Sequence, residues 1–143
     1  MQPVQSVAII GAGNMGSGIA QKTAQEEFDV QMVDREAQWV ERGQSIIADF
    51  LSEAVERRIF SPQQVADIQG RITGVIGTEN TSPDTDLVIE AVFEDFDIKT
   101  AVFNALNEVC GDKTILASNT SSLSVNDLSA ASGRPDRFVG LHF

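Results

Sequence analysis

Positive charge is in short supply in this chain. Ten Lys and Arg stand against 21 Asp and Glu in 143 residues, a formal net charge of −11. Nucleic acid is held by a basic face, so this balance argues against nucleic-acid binding. Cysteine is nearly absent: Cys110 stands alone, which excludes an internal disulfide and fits a reducing compartment. Cys110 itself reads as a small apolar residue at a helix end. No apolar run approaches the ~20 residues of a membrane span. The stretch Met1-Gln2-Pro3-Val4-Gln5 has neither the basic nor the apolar region of a secretory leader. A cytoplasmic protein with no membrane partner is therefore expected. Internal repeats and low-complexity tracts are missing as well, and no metal site is expected. With 42% hydrophobic residues and a mean hydropathy of −0.05, the composition suits a soluble globular protein long enough for one domain, residues 1–143.

What is present begins with Val7-Ala8-Ile9-Ile10, an apolar β-prone run that leads into Gly11-x-Gly13-x-x-Gly16 and then a helical pattern. Strand, glycine turn and helix in that order form a dinucleotide-binding signature. The first glycine permits the tight turn, the second removes a Cβ from the path of a pyrophosphate, and the third lets the helix sit close to the sheet. Backbone N–H groups and the positive end of the helix dipole then favour phosphate. Such local donors serve an anionic ligand even in an acidic protein. Gly16, Ala20 and Ala24 place small residues on one helix face. A second β-prone run, Val30 to Val33, ends in Asp34, which is 34 − 16 = 18 positions after Gly16. That is close to the ~20 expected of the acid that binds the adenosine ribose. A carboxylate there accepts from both ribose hydroxyls and repels a 2′-phosphate, which favours NAD over NADP. Arg35 could instead pair with such a phosphate. The alternative is a structural glycine turn followed by a surface aspartate.

The rest of the chain alternates strands and helices. Helices are predicted over Asn14–Glu26, Glu36–Arg58, Ser61–Gln69, Asp97–Val109 and Val125–Ala131. Strands are predicted over Arg71–Ile76, Asp86–Val92, Thr114–Ala117 and Phe138–Phe143, with a loop over Gly77–Thr85. Ser61, Pro62 and Gln64 have the spacing of a capping box. In the second helix Trp39, Gly43, Ile46, Ile47, Phe50, Ala54 and Val55 share one side, and Trp39 and Phe50 are expected in the core rather than in a ligand wall. In the fourth, the predicted stripe is Ile98, Val102, Ala105, Leu106 and Val109. Gly74 weakens its strand. Arg57-Arg58 either complements the negative end of its helix or holds a substrate phosphate. The expected architecture is α/β: a Rossmann-type, doubly wound, mainly parallel sheet with helices on both faces. It puts the glycine turn, Asp34, the Glu94 region, Asn119–Ser122 and His142 along one crevice at the carboxyl ends of the strands.

Four stretches, Gly11-Ala12-Gly13-Asn14-Met15-Gly16-Ser17-Gly18-Ile19-Ala20, Asp86-Leu87-Val88-Ile89-Glu90-Ala91-Val92-Phe93-Glu94, Leu116-Ala117-Ser118-Asn119-Thr120-Ser121-Ser122-Leu123 and Arg137-Phe138-Val139-Gly140-Leu141-His142-Phe143, together resemble the NAD-binding domain of the 3-hydroxyacyl-CoA dehydrogenases. The first is shared by several dehydrogenase families. The Ser-Asn-Thr-Ser-Ser run and the terminal Gly-Leu-His-Phe are far more specific. The resemblance implies oxidation of an L-3-hydroxyacyl-CoA to the 3-ketoacyl-CoA, with hydride passing to NAD. His142 matches the catalytic base, a task suited to imidazole with its ordinary pKa of ~6.5. Ser121 matches the serine that hydrogen-bonds the substrate oxygen beside the nicotinamide. The matching cofactor residues are Gly11, Ala12, Gly13, Asn14, Met15, Gly16, Asp34, Ala91, Glu94 and Lys99, with a lesser cofactor-side role for Asn119. Read without the resemblance, His142 is a structural histidine, Ser121 one loop hydroxyl among many, and Glu94 and Lys99 a solvated pair at a helix start.

The family's chain continues beyond this histidine into a glutamate that orients it, an asparagine at the reacting centre, and a helical second domain for dimerisation and acyl-CoA binding. None of these matches a residue here. The expectation is a fragment or a stand-alone cofactor module that binds NAD with little or no turnover, while the longer protein is a homodimer. Two other readings remain: a non-catalytic dinucleotide-binding module, or a dehydrogenase of a free hydroxy acid.

Overall fold

Every apolar run flanked by turn residues becomes a strand of one sheet, and every amphipathic stretch a helix against it. The computed structural model describes residues 3–143; Met1 and Gln2, within the stretch read above for a leader, lie outside it. In chain order the elements are β1 (Ser6–Ile10), α1 (Asn14–Gln25), β2 (Asp29–Asp34), α2 (Ala37–Glu56), α3 (Pro62–Gly70), β3 (Ile72–Ile76), β4 (Leu87–Glu90), α4 (Phe96–Val109), β5 (Ile115–Ser118), α5 (Val125–Ala131) and β6 (Phe138–Gly140). Single turns of 3₁₀ helix cover Thr78–Asn80, inside the expected loop, and Pro135–Arg137. The sheet order is β3-β2-β1-β4-β5-β6 and each neighbouring pair is parallel. The Rossmann-type reading holds. The winding reverses between β1 and β4, so their carboxyl ends open the crevice where such sheets bind ligands.

Alternation along the strands divides the core in two. Val7 and Ile9 face the layer of Ile19, Ala20, Ala24, Ile47 and Leu51 from α1 and α2. Ala8 and Ile10 face Phe103, Leu106 and Leu128 from α4 and α5. The capping box at α3 is present: Ser61 Oγ accepts from the Gln64 N–H at 3.2 Å and Gln64 Oε1 from the Ser61 N–H at 2.8 Å. No helix among the described residues is long and apolar enough to cross a membrane.

The rotation of two helices departs from the sequence pattern. The buried stripe of α2 is Val40, Gly43, Ile47, Leu51 and Ala54: Gly43, Ile47 and Ala54 are buried as expected, while Val40 and Leu51 take the places expected of Trp39 and Phe50. A Cβ at Gly43 would stand 2.8 Å from the Ala12 carbonyl oxygen and 2.9 Å from Met32 Cε, so this face must make the closest approach. Trp39 is turned to a half-buried position and Phe50 is 53% exposed, which corrects their expected place in the core. In α4 the inward residues are Lys99, Phe103 and Leu106, while Ile98 is 45% exposed. The large ring of Phe103 takes the centre of the contact, edge-on to Phe138 with centroids 4.9 Å apart, and displaces the smaller aliphatics to the margin. Gly74 is no defect: a Cβ there would meet Val40 Cγ1 at 2.6 Å, so the glycine lets α2 lie on β3. The last strand is shorter than predicted and leaves Leu141, His142 and Phe143 beyond its end. Arg57 pairs with Glu53 at 2.5 Å at the end of α2. Helices of a doubly wound sheet run back toward the amino edge, so Arg57 and Arg58 lie away from the crevice.

Candidate functional site

The three glycines of the turn do different work. Gly11 has φ +110° and donates its N–H to the Val33 carbonyl at 2.7 Å. A Cβ on it would lie 2.6 Å from the Ala91 carbonyl oxygen. Only glycine passes between β2 and β4 in that conformation. At Gly16 a Cβ would lie 1.8 Å from the Gly11 carbonyl oxygen, so the helix is backed against the turn itself. A Cβ at Gly13 would meet nothing within 4 Å. Gly13 is also the N-cap of α1 and makes no side-chain capping bond. The first N–H groups of α1 therefore have no side-chain acceptor and share their end of the helix with its positive dipole.

The turn and the N-cap Gly13 border a cavity of about 540 Å³, walled by Gly11–Gly13, Asp34, Arg35, Trp39, Arg42, Thr78 and Ala91–Phe93. Asp34 sits at the end of β2. Its Oδ2 accepts from the Ala12 N–H at 2.8 Å and its Oδ1 from the Arg35 N–H at 2.8 Å, which ties the acid to the glycine turn. The Arg35 guanidinium lies 3.6 Å from Glu36 and is 81% exposed. A cavity with an uncapped helix start at one wall and a carboxylate at the other fits a dinucleotide's pyrophosphate and ribose diol.

A second cluster covers the ends of β4, β5 and β6. Glu90, the last residue of β4, is fully buried. Its Oε2 accepts from Lys99 Nζ at 2.5 Å and from the Val92 N–H at 2.8 Å, and its Oε1 from Ser118 Oγ at 2.6 Å. Lys99 Nζ also donates to the Val92 carbonyl at 3.3 Å and lies 3.9 Å from Glu94 Oε1. Glu94 in turn accepts from the Thr120 hydroxyl and, at 3.4 Å, from the Ser121 N–H. The pair at the start of α4 is thus not solvated. Lys99 is buried beneath the site on Glu90, and only Glu94 reaches the surface. Ser121 is exposed, as is His142. The Leu141 N–H donates to the Ser118 carbonyl at 2.9 Å and the Phe143 N–H to Asn119 Oδ1 at 2.9 Å. Among the described residues the His142 imidazole makes no hydrogen bond.

Gly11, Ala12, Gly13, Asp34 and Ala91 line the cavity together. Glu94, Asn119, Ser121 and His142 are not among its walls but stand beyond the switch point, at the carboxyl ends of the strands on the other side. A smaller hollow of about 310 Å³, lined in part by Asn14, Met15 and Phe143, joins the start of α1 to the His142 segment. Trp39, Arg42 and Thr78 were not foreseen as walls. The signal lay in position: α2 begins beside Asp34, so its first two turns overlook the crevice. Glu90, Ser118 and Thr120 were missed too, although an acid in a strand covered on both faces needs a buried partner.

The chain matches the family model described as 3-hydroxyacyl-CoA dehydrogenase, NAD binding domain, over residues 6–143. It is 40% identical over 137 residues to a Deinococcus radiodurans protein named "Probable 3-hydroxybutyryl-CoA dehydrogenase", covering 94% of this chain and 48% of that protein. It is 35% identical over 140 residues to a Psychrobacter fatty acid oxidation complex subunit alpha, covering 98% of this chain and 19% of that subunit. The crystal structure of (S)-3-hydroxybutyryl-CoA dehydrogenase from Ralstonia eutropha superposes with a TM-score of 0.94 at 36% identity, over 99% of this chain and 50% of that one. The chain spans about half the length of the curated 3-hydroxybutyryl-CoA dehydrogenases it matches.

Proposed function

The chain belongs to the 3-hydroxyacyl-CoA dehydrogenase family as its NAD-binding domain, and we propose on that footing that it is the cofactor half of an enzyme oxidising L-3-hydroxyacyl-CoA to 3-ketoacyl-CoA. The observation that carries this reading is the main chain at Gly13, bare and facing a cavity that Asp34 closes. In the proposed arrangement Gly11, Ala12, Gly13, Asn14, Met15 and Gly16 wrap the pyrophosphate, and the free lone pairs of Asp34 accept from the adenosine ribose. Ala91 and Glu94 border the nicotinamide half, with Lys99 fixing Glu94 from below. Bound NAD supplies the hydride acceptor. The Ser121 hydroxyl hydrogen-bonds the substrate oxygen, and the His142 imidazole takes the hydroxyl proton as the C–H bond breaks. Names of the relatives support an acyl-CoA substrate, and the family resemblance supports a homodimer assembled through a second, helical domain. The single buried thiol is in keeping with a cytoplasmic setting.

Calorimetry with NAD and NADP tests the cofactor half. Asp34→Ala is expected to weaken NAD more than NADP, and tighter NADP binding by the unmodified chain would overturn the assignment. Turnover is tested in a chimera whose second half, from the Ralstonia eutropha enzyme, follows Phe143. It should consume NADH with acetoacetyl-CoA, and His142→Ala should abolish this. A chimera that binds NADH but consumes none selects the non-catalytic module, and activity indifferent to the CoA moiety selects a free hydroxy acid.

A further inference from the structure

We infer that Asn119 is a positioning residue for His142, holding the segment after β6 through its side-chain oxygen where a main-chain rung would otherwise stand. The inference rests on the reading of His142 as the base. The β5–β6 ladder pairs Leu116 with Phe138, Ala117 with Val139 and Ser118 with Gly140, and both strands end there. The next rung is still main chain: the Leu141 N–H meets the Ser118 carbonyl at 2.9 Å. A parallel ladder would then send the Phe143 N–H to the carbonyl of residue 120. It goes instead to Asn119 Oδ1, at 2.9 Å.

Asn119 is itself anchored. Its N–H donates to the carbonyl of Glu90 at 2.9 Å, and Glu90 is the buried centre of the charged network. His142 lies between two tethered residues, exposed, with an imidazole that makes no hydrogen bond among the described residues. The backbone on either side therefore sets where its Cβ points while the ring stays open to substrate. Asn119 acts on the base through the chain, not by touching the reacting atoms. This is a different role from the cofactor-side one expected from the sequence, and it is carried by the side-chain oxygen that accepts from the Phe143 N–H.

The 143-residue chain contains one histidine, so one set of imidazole signals reports on it. Asn119→Ala removes the acceptor, and Asn119→Asp keeps one. Amide exchange at Phe143, relaxation of the His142 amide and ring, and NAD titration are measured for the parent and both variants. Asn119→Ala should speed Phe143 exchange about threefold to tenfold. It should lower the order parameter of His142 and leave Gly140 unmoved. Asn119→Asp should restore the protection of Phe143. Unchanged Phe143 exchange and His142 order in Asn119→Ala overturns the inference, and a fall in NAD affinity without those changes assigns Asn119 to the cofactor. A parent chain that binds no NAD defeats the functional reading alone, since the clamp is still read at Phe143 and His142.

Discussion

An alanine at Gly13 and an alanine at Gly16 add the same methyl group three residues apart and are expected to fail in opposite ways. Gly13 has φ −74° and ψ −165°, and its added Cβ meets no atom within 4 Å. Alanine there narrows the unfolded ensemble, worth about 0.4–1 kcal/mol in favour of folding. Glycine is better than alanine at a helix N-cap, which opposes this by about 0.5–1 kcal/mol. Stability should move by no more than about 0.5 kcal/mol. The methyl projects into the cavity, so a pyrophosphate can no longer reach the main chain. NAD should bind at least about tenfold more weakly, or 1.4 kcal/mol.

At Gly16 the new Cβ would stand 1.8 Å from the Gly11 carbonyl oxygen, whereas ordinary contact begins at 3.4 Å. The shortfall is 3.4 − 1.8 = 1.6 Å, and the obstacle is backbone, which cannot turn aside. The whole of α1, with Ile19, Ala20 and Ala24 in the core, would have to retreat. Overpacking of this kind reaches about 3 kcal/mol, a large share of the roughly 5–15 that hold a domain. Urea unfolding followed by the single tryptophan, Trp39, reads the stability, and calorimetry with NAD reads the binding. Parent-like NAD affinity in Gly13→Ala, or a parent-like urea midpoint in Gly16→Ala, would refute the division of labour.

Glu90→Gln leaves the buried Lys99 ammonium with only the more distant Glu94 carboxylate, 3.9 Å away, and should cost up to about 3–5 kcal/mol, with part recovered in Glu90→Gln/Lys99→Met; equal melting temperatures for parent and single variant would contradict it. N–H groups of Ser6 and Gln5, with the Ser6 hydroxyl, hold the Asp86 carboxyl below the ordinary 3.8. A lowered value in the folded state means that the contribution is complete above that pH and lost as pH falls through the folded value. Asp86→Asn should therefore flatten the acid limb of the melting curve by up to about 1 kcal/mol, the site being partly exposed and screened. Burial pushes the Cys110 thiol above its ordinary 9.0, opposed by the Arg134 charge. Its contribution stands at neutral pH and is lost as pH rises through the raised value. Alkylation by iodoacetamide at pH 8 should be at least about a hundredfold slower than in urea, and equal rates would show the thiol to be accessible.

The order of elements was legible because strand and helix periodicities differ and turns carry glycine and proline. Helix rotation was not. In α2, Gly43, Ile47 and Ala54 make as good an apolar side with Trp39 and Phe50 as they do with Val40 and Leu51. The choice follows the packing of the helix on the sheet, where Gly43 meets Ala12 and Met32, residues 31 and 11 positions away. Such a contact exists only after the sheet has formed. The same reason moved Trp39 out of the expected core and onto the cavity wall.

The site divides along similar lines. The glycine turn and Asp34 could be read from local chemistry, since each glycine answers to a backbone demand within one strand–turn–helix. Ser121 and His142 could not; only the family motifs single them out from other loop hydroxyls and exposed rings. The network around Glu90 was legible in principle and overlooked. An ionised group in a strand buried on both faces cannot stand unpaired. Its partners lie nine positions on, at Lys99, and 28 positions on, at Ser118. Those partners tie β4, α4 and β5 together just where Glu94, Asn119 and Ser121 emerge. An apolar trio could pack the same ends, but it would leave the Val92 N–H without the acceptor that Glu90 provides and Glu94 without the cation beside it. The buried charge therefore supports the candidate site from beneath.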